Sequence, residues 1–374
     1  MPRSPLFEIL PPWVSRIRPY PPGKPVEEVE RELGRIAIKL ASNENPLGPS
    51  PKAQEAVRRF LDHMHFYPDG SGFYLRQKLA EIQGLDMDQI ILGAGSTDLI
   101  ELVGKTFLNS VDEAITSESA FYMYRLAVED TGAALVQVPM RDMTFDLPAI
   151  AHAVTSRTKV VYLGNPNNPT GTMFTADELD RFLDAIPARV LVVLDEAYYE
   201  YVQRPDYSHS IEYVRAGRNI LVLRTFSKVH GLAGIRLGYG MGHAELIECL
   251  NRIRSPFNAS SVAQVAGLAA LDDHEHVAHS VESNQREMKF LAAELTLLGV
   301  RHTPSVGNFL LMDTGRDCEE DFLRLLHEGV IVRPVKIYGF PTSLRVTVGT
   351  HEENELFLAA MQRLPASAEK AAKL

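Results

Sequence analysis

The stretch RTFSKVHGLAGIRLGY, Arg224–Tyr239, sets one lysine among hydroxyls and glycines directly after an apolar run, with an arginine at position 236. Read plainly, it is a strand, a loop and a surface lysine. Read chemically, Lys228 is an amine meant to react, with Thr225, Ser227 and Arg236 placed to hold an anion beside it. A free lysine titrates at about 10.4 and is a poor nucleophile at neutral pH. Burial and neighbouring cations lower that value and activate the amine. The chain around the stretch decides between the two readings.

Upstream of it, short apolar and β-branched runs recur at QIILGAG (89–95), ALVQVPM (134–140), KVVYLGN (159–165) and RVLVVLDEA (189–197), ending with NILVLRTFS (219–227). Helical patterns lie between them, among them STDLIELVGKTF (96–107) and TADELDRFLDAI (175–186). The second of these opens on Thr175 with Asp177 and Glu178 in its first turn, an N-terminal signature. Buried strands alternating with helices predict an α/β fold with a mostly parallel central sheet. Past residue 255 the texture changes. A long helical stretch (275–298) leads into VGNFLLMDT, GVIVRPV and SLRVTVGT, separated by the helical EEDFLRLLHEG, which predicts a smaller α+β unit. The expected organisation is a proline-rich arm over 1–50 packing on the smaller unit, a large domain over 51–255 and a small domain over 256–374.

Composition narrows the function classes. With 374 residues, 45% hydrophobic and 23% charged, the chain can bury a substantial core in one large or two ordinary domains. A formal charge of −10 and the lack of a long basic run argue against nucleic acid as a partner. Two cysteines, Cys249 and Cys318, make no disulfide framework, and their spacing fits no metal site. They suit a reducing compartment. The opening MPRSPLFEILPPWVSRIRPY is broken by prolines and shows no apolar core of signal length, and no segment approaches the roughly 20 apolar residues of a membrane span. The expectation is a cytoplasmic protein.

In open α/β sheets, ligands bind at the carboxyl ends of the strands. There this sequence places GAGST after 89–92, GNPNNPTG after 159–163, DEAYYEY after 189–194 and RTFSK after 219–223. Glycines and hydroxyls opening a helix at GAGSTD (93–98) favour a phosphate, although taken alone they are explained more simply by Ser96 or Thr97 as a helix cap; no Gly-Lys-Ser/Thr follows, so this is no Walker A loop. Asp195 ends an apolar run, and a buried carboxylate needs a cationic partner. That partner is either a nearby Arg or Lys or a protonated heteroaromatic nitrogen. Tyr198 and Asn168 can hydrogen-bond a phenolate oxygen on such a ring, and Phe121 can stack on its face. Lysine, phosphate cup, acid partner and phenolate donors together describe pyridoxal 5′-phosphate.

The motifs SNENPLGPSP (42–51), YPDGSGFYLRQKLA (67–80), NPNNPTG (165–171), LDEAYYEY (194–201), TFSKVHGLAGIRLGY (225–239) and LRVTVGT (344–350) resemble those of fold-type I pyridoxal phosphate-dependent aminotransferases, and most closely the histidinol-phosphate aminotransferase family. The resemblance runs from about Pro19 to Leu364. It implies a fold-type I transferase, a small-molecule amino donor with a 2-oxo acid acceptor, and a homodimer with shared sites. By the same resemblance Lys228 carries the cofactor and shuttles the substrate proton, Asp195 pairs with the ring nitrogen, and Asn168 and Tyr198 bind the phenolic oxygen. Phe121 stacks on the ring. Gly95, Ser96, Thr225, Ser227 and Arg236 surround the phosphate, with Tyr67 reaching it from the partner subunit. Arg345 clamps the substrate α-carboxylate, Tyr20 closes over the substrate, and Asn45 lies at the substrate. Arg333, in GVIVRPV, is a candidate second anion binder or else a surface arginine beside a proline-terminated strand. His230 is expected in a supporting place. One departure is Ser119-Ala120-Phe121, where the family has Pro-Thr-aromatic.

Two neighbouring activities share this pattern: aromatic amino acid transamination and decarboxylation of threonine phosphate. A non-catalytic ligand-sensing regulator requires a DNA-binding domain, and the short arm shows no helix-turn-helix pattern.

Overall fold

The computed structural model describes residues 8–19, 24–34 and 36–365. A short strand in the arm, β1 (Ile38–Lys39), precedes the strands of the main sheet: β2 (Ile90–Gly93), β3 (Glu113–Ser117), β4 (Ala134–Val138), β5 (Thr158–Gly164), β6 (Leu191–Asp195), β7 (Ile220–Thr225) and β8 (Gly238–Met241). Among the described residues these seven run in the order β2-β8-β7-β6-β5-β3-β4. β4, β3, β5, β6 and β7 are mutually parallel, and β8 runs antiparallel between β7 and β2. The mostly parallel sheet of an α/β fold is therefore present, and β5–β7 are buried along nearly their whole length, as their apolar runs require.

Two of these strands carry little strand signal in sequence. β3 reads EAITS, whose polar groups are satisfied by neighbours: the Glu113 carboxylate takes Arg157 and the Thr155 hydroxyl. β8 reads GYGM, and its first glycine is demanded by close approach. A Cβ on Gly238 would sit 2.4 Å from the Ser96 nitrogen, so the strand can lie against the start of the next helix only without a side chain.

The helix Ser96–Phe107 follows β2, and the helix Ala176–Ala185 follows β5 with the predicted Thr175 cap in a full capping box with Glu178. One hydrophobic core joins the sheet to residues from Ala53 to Ala270. It thus takes in the helix Ser261–Leu271, beyond the expected division at 255, because that helix buries Ala263, Ala266 and Ala270 against it.

The later strands are β9 (Arg301–His302), β10 (Phe309–Asp313), β11 (Val330–Ile331), β12 (Arg333–Pro334) and β13 (Ser343–Thr347). β12-β13-β10-β9 form a second, antiparallel sheet. A separate core of Leu291, Leu310, Met312, Leu344, Val346 and Phe357 lies behind it, together with Leu40 from the arm. The arm divides between the two units. β1 pairs in parallel with β11, whereas Trp13 donates through Nε1 to the Asp130 carbonyl of the larger unit (3.0 Å).

Candidate active site

The carboxyl ends of β2, β5, β6 and β7 meet in one crevice, lined on this side by Ser96, Thr97, Phe121, Tyr124, Asn168, Asp195, Tyr198, Thr225, Ser227, Lys228 and Arg236. Because β8 runs antiparallel, it begins at this same edge, which brings Arg236 beside the lysine loop. Arg236 takes a left-handed backbone (φ +57°), and its guanidinium donates to Ser227 Oγ (3.3 Å) and to the carbonyls of Ala233 (3.2 Å) and Ala94 (3.3 Å). Thr225 Oγ lies 3.0 Å from Ser227 Oγ. Gly95 caps the helix with φ +88° and no side-chain cap bond, and a Cβ there would lie 2.2 Å from Arg236 Nη2. The helix N-terminus, two hydroxyls and a guanidinium thus face one spot, a ready cradle for a phosphate. Ser96 and Thr97 sit inside the helix start and line the crevice, so the capping explanation for them falls away.

Asp195 is 5% exposed. Its carboxylate accepts from the Tyr124 hydroxyl (3.0 Å) and the Ala197 N–H (3.2 Å), and among the described residues no lysine or arginine bonds to it. Burial pushes its pKa up to about 6, against the pull of those two donors and of Lys228. Lys228 moves the other way. Burial, and then the Arg345 charge, lower it to about 8. Its amine donates to the Ser42 carbonyl at 3.2 Å.

The opposite wall comes from the arm and the smaller unit: Ala41, Ser42, Asn43, Glu44, Arg333 and Arg345. Arg333 and Arg345 stand directly opposite each other in the β12–β13 pair, and both are buried. Like charges facing across two strands destabilise the pair unless an anion answers them. Arg345 donates to Asn168 Oδ1 (2.6 Å) and the Ala41 carbonyl (2.5 Å), and its Nε has no partner among the described residues.

Two expected residues fall elsewhere. Asn45 is turned away from the crevice: its amide donates to the Val229 carbonyl (2.8 Å) and Ser280 Oγ (2.9 Å), tying the arm to the lysine loop, while Asn43 takes the crevice-facing position. The substrate-contact expectation for Asn45 is corrected accordingly. Tyr67 is 84% exposed and stacks on Phe257, with ring centroids 5.0 Å apart, and takes no part in this chain's crevice. Tyr20 lies outside the described residues. His230 is buried against Phe226, and burial followed by His276 lowers its pKa to about 4, which fits a supporting place. Two participants carried no usable sequence signal. Tyr124 meets Asp195 across 71 positions and Asn43 meets Tyr198 across 155.

A partly buried amine beside an anion cradle, a buried carboxylate bonded to no lysine or arginine among the described residues, and two facing arginines make a site suited to transferring a group between anionic small molecules. The sequence model for "Aminotransferase class I and II" matches residues 35–361. The chain belongs to that class. It is 47% identical to the histidinol-phosphate aminotransferase of Moorella thermoacetica over 94% of this chain and 92% of that one, and 50% identical to that of an Anaeromyxobacter species over 95% and 99%. Within the class, its family is that of the histidinol-phosphate aminotransferases. The crystal structure of the Sinorhizobium meliloti histidinol-phosphate aminotransferase in complex with pyridoxal 5′-phosphate superposes with a TM-score of 0.86 at 27% identity, covering 95% of this chain and 97% of that one. Aspartate aminotransferase from Thermus thermophilus with maleate, at 24% identity and a TM-score of 0.83, shares the fold.

Proposed function

We propose that this chain is a pyridoxal 5′-phosphate-dependent aminotransferase that transfers the amino group of L-histidinol phosphate to 2-oxoglutarate, in histidine biosynthesis. The carrying observation is Asp195, a buried carboxylate that no lysine or arginine among the described residues hydrogen-bonds, facing the same crevice as Lys228 and the Ser96–Ser227–Arg236 cradle. The residues present fit the cofactor. The cradle takes its phosphate, Phe121 its ring face, Asp195 its pyridinium nitrogen, Asn168 and Tyr198 its phenolic oxygen, and Lys228 its aldehyde carbon. When bound, the cofactor supplies an electron sink for charge left at the substrate's amine-bearing carbon.

The chain supplies the rest. Lys228 Nζ, with its pKa lowered to about 8, is about one-tenth free amine at pH 7, and it takes the proton from that carbon and later returns it. Asp195 keeps the ring nitrogen protonated, because loss of that proton would leave a carboxylate buried without a cation. The crevice walls bury Asp195 and shield Lys228 in part from bulk water, which strengthens their interaction.

Histidinol phosphate carries a phosphate where an amino acid carries its α-carboxylate, and 2-oxoglutarate brings two carboxylates. Arg345, half-coordinated by Asn168 and Ala41, takes the anion next to the reacting carbon. Arg333 opposite it adds the second charge that a dianion calls for. We place the enzyme in the cytoplasm as a homodimer. No helix among the described residues is long and apolar enough to cross a membrane. The exposed aromatics Phe66, Tyr67, Tyr74 and Phe257 suit burial against a second copy, from which Tyr67 reaches the phosphate cradle. Hybrid dimers of Lys228→Ala and Tyr67→Ala chains then recover part of the activity that each homodimer lacks. No recovery despite proven subunit exchange contradicts the shared site.

The test of the activity itself is a half-reaction. Histidinol phosphate added to the purified holoenzyme shifts the cofactor's visible band and releases the corresponding ketone, and 2-oxoglutarate restores the band with formation of glutamate. No band shift with histidinol phosphate, together with release of CO2 from threonine phosphate, points to decarboxylation and overturns the proposal.

A further inference from the structure

The arm segment Ala41–Ser50, ASNENPLGPS, threads between the two units, and Asn43 is its most constrained residue. It is 1% exposed and holds a left-handed backbone (φ +54°), a conformation that costs any residue with a Cβ and is least costly for Asn. Every polar group of Asn43 is used. Its backbone N–H donates to Thr347 Oγ1 (2.9 Å), and its carbonyl accepts from Asn308 Nδ2 (3.1 Å). Thr347 Oγ1, already an acceptor, donates to Asn43 Oδ1 (3.3 Å). That assigns the amide orientation: Nδ2 is the end that faces Tyr198, and it donates to the Tyr198 hydroxyl oxygen at 2.8 Å. Asn168 Nδ2 donates to the same oxygen from the other side at 3.4 Å. With two amides donating to it, the Tyr198 oxygen accepts from both, and its own proton points away from these two amides.

Thr347 lies two positions beyond Arg345 on β13, so the two side chains share a face of the strand. Arg345 also grips the arm through the Ala41 carbonyl. We propose that Asn43 is a positioning residue that sets the Tyr198 hydroxyl as a donor toward the cofactor's phenolic oxygen and couples it, through Thr347, to the strand bearing the substrate-clamping Arg345. An anion drawn to Arg345 is thereby registered at the cofactor before chemistry begins. The inference rests on the cofactor reading given above.

The experiment is a spectrophotometric pH titration of the visible band of the resting holoenzyme, with and without a saturating unreactive dicarboxylate such as succinate. A donor to the phenolic oxygen stabilises its deprotonated form, so weakening that donor raises the titration midpoint. Asn43→Gly keeps the left-handed backbone and removes only the amide. It should raise the midpoint by about 0.5–1 pH unit, the scale of one hydrogen bond. Tyr198→Phe should raise it at least as far, and the double variant should match Tyr198→Phe alone. Asn43→Asp, whose carboxylate accepts the Tyr198 proton and turns it away from the crevice, should behave like Tyr198→Phe. Thr347→Val, which keeps the shape of the strand, should blunt the succinate-induced shift, and it serves as the second route should Asn43 variants fail to fold. A wild-type midpoint in Asn43→Gly, or a shift that adds in full to that of Tyr198→Phe, overturns the proposal. A wild-type protein that develops no visible band with pyridoxal phosphate removes the cofactor reading itself, and this inference with it.

Discussion

On the sheet side of the crevice, Asp195 is the last residue of β6, Lys228 follows β7 by three positions and Ser96 follows β2 by three. On the opposite side, the crevice is completed by an arm segment and by β12–β13, where Ser42, Asn43, Arg333 and Arg345 come from three separate parts of the chain. The first wall is held by a continuous core and has its geometry fixed by strand ends. The second is held by long-range hydrogen bonds, such as Asn43 N–H to Thr347 and Arg345 to the Ala41 carbonyl, each spanning 304 positions. On the proposed function, the sheet wall would bind the permanent group, while the arm and smaller unit would grip the molecules that come and go.

Substitutions on the sheet wall should therefore abolish chemistry, and those on the other wall should redistribute specificity. The largest effect is expected for Lys228→Ala. Pyridoxal phosphate should still enter the cradle, but borohydride should no longer fix it to the chain, and turnover should fall about 10⁴-fold or more. Peptide mass mapping of the reduced wild type should place the label on Lys228, and label on another lysine contradicts the assignment. Asp195→Asn comes next. Loss of the carboxylate beside the ring nitrogen should lower kcat by about 10²–10³-fold, with a smaller change in cofactor retention measured by dialysis.

On the opposite wall, Arg345→Ala should lower kcat/KM for histidinol phosphate and 2-oxoglutarate together, by roughly ten- to hundredfold or more on the scale of a charge-assisted hydrogen bond. Arg333→Ala should cost histidinol phosphate a similar factor and an aromatic amino acid, which brings a single negative charge to that position, less. Equal losses for both donors would place Arg333 outside the anion site and blur the contrast between the walls.

The smallest effect concerns pH. Only the unprotonated Lys228 amine adds to an aldehyde, and its pKa is lowered to about 8 by burial and by Arg345. The rate at which apoenzyme gains the visible band with pyridoxal phosphate should rise with pH below about 8 and level above it. In Arg345→Ala the leveling point should move upward, since a neighbouring positive charge has been removed.

Much of the sheet wall was legible in the sequence because its groups sit where apolar runs end, and such runs mark strands. Lys228, Asp195 and Asn168 could be placed this way, as could the helix beginning at Ser96, whereas Arg236 was reached only through the motif that follows the lysine. β8 could not, because two glycines and a short length hide a strand whose partners supply its stability. On the arm side, the motif SNENPLGPSP was visible, yet which asparagine faces the crevice was not. Asn43 and Asn45 are two positions apart in an irregular segment, so no helix or strand period fixes their directions. The left-handed turn at Asn43, set by Thr347 and Asn308, decides it. Tyr124 is similar: a tyrosine in the first turn of a helix reads as core, and only the packing of that helix brings its hydroxyl to Asp195.

The most direct measurement is kcat/KM for L-histidinol phosphate, phenylalanine, tyrosine and threonine phosphate side by side, with 2-oxoglutarate as acceptor and glutamate as the product detected. Phenylalanine and tyrosine also offer Arg345 a carboxylate, so the second charge of the phosphate on Arg333, about 1.5–3 kcal/mol in a charge-assisted contact, predicts histidinol phosphate ahead of both aromatic amino acids by roughly ten- to hundredfold. Phenylalanine or tyrosine turning over as well as histidinol phosphate would contradict that prediction and make the enzyme an aromatic amino acid aminotransferase.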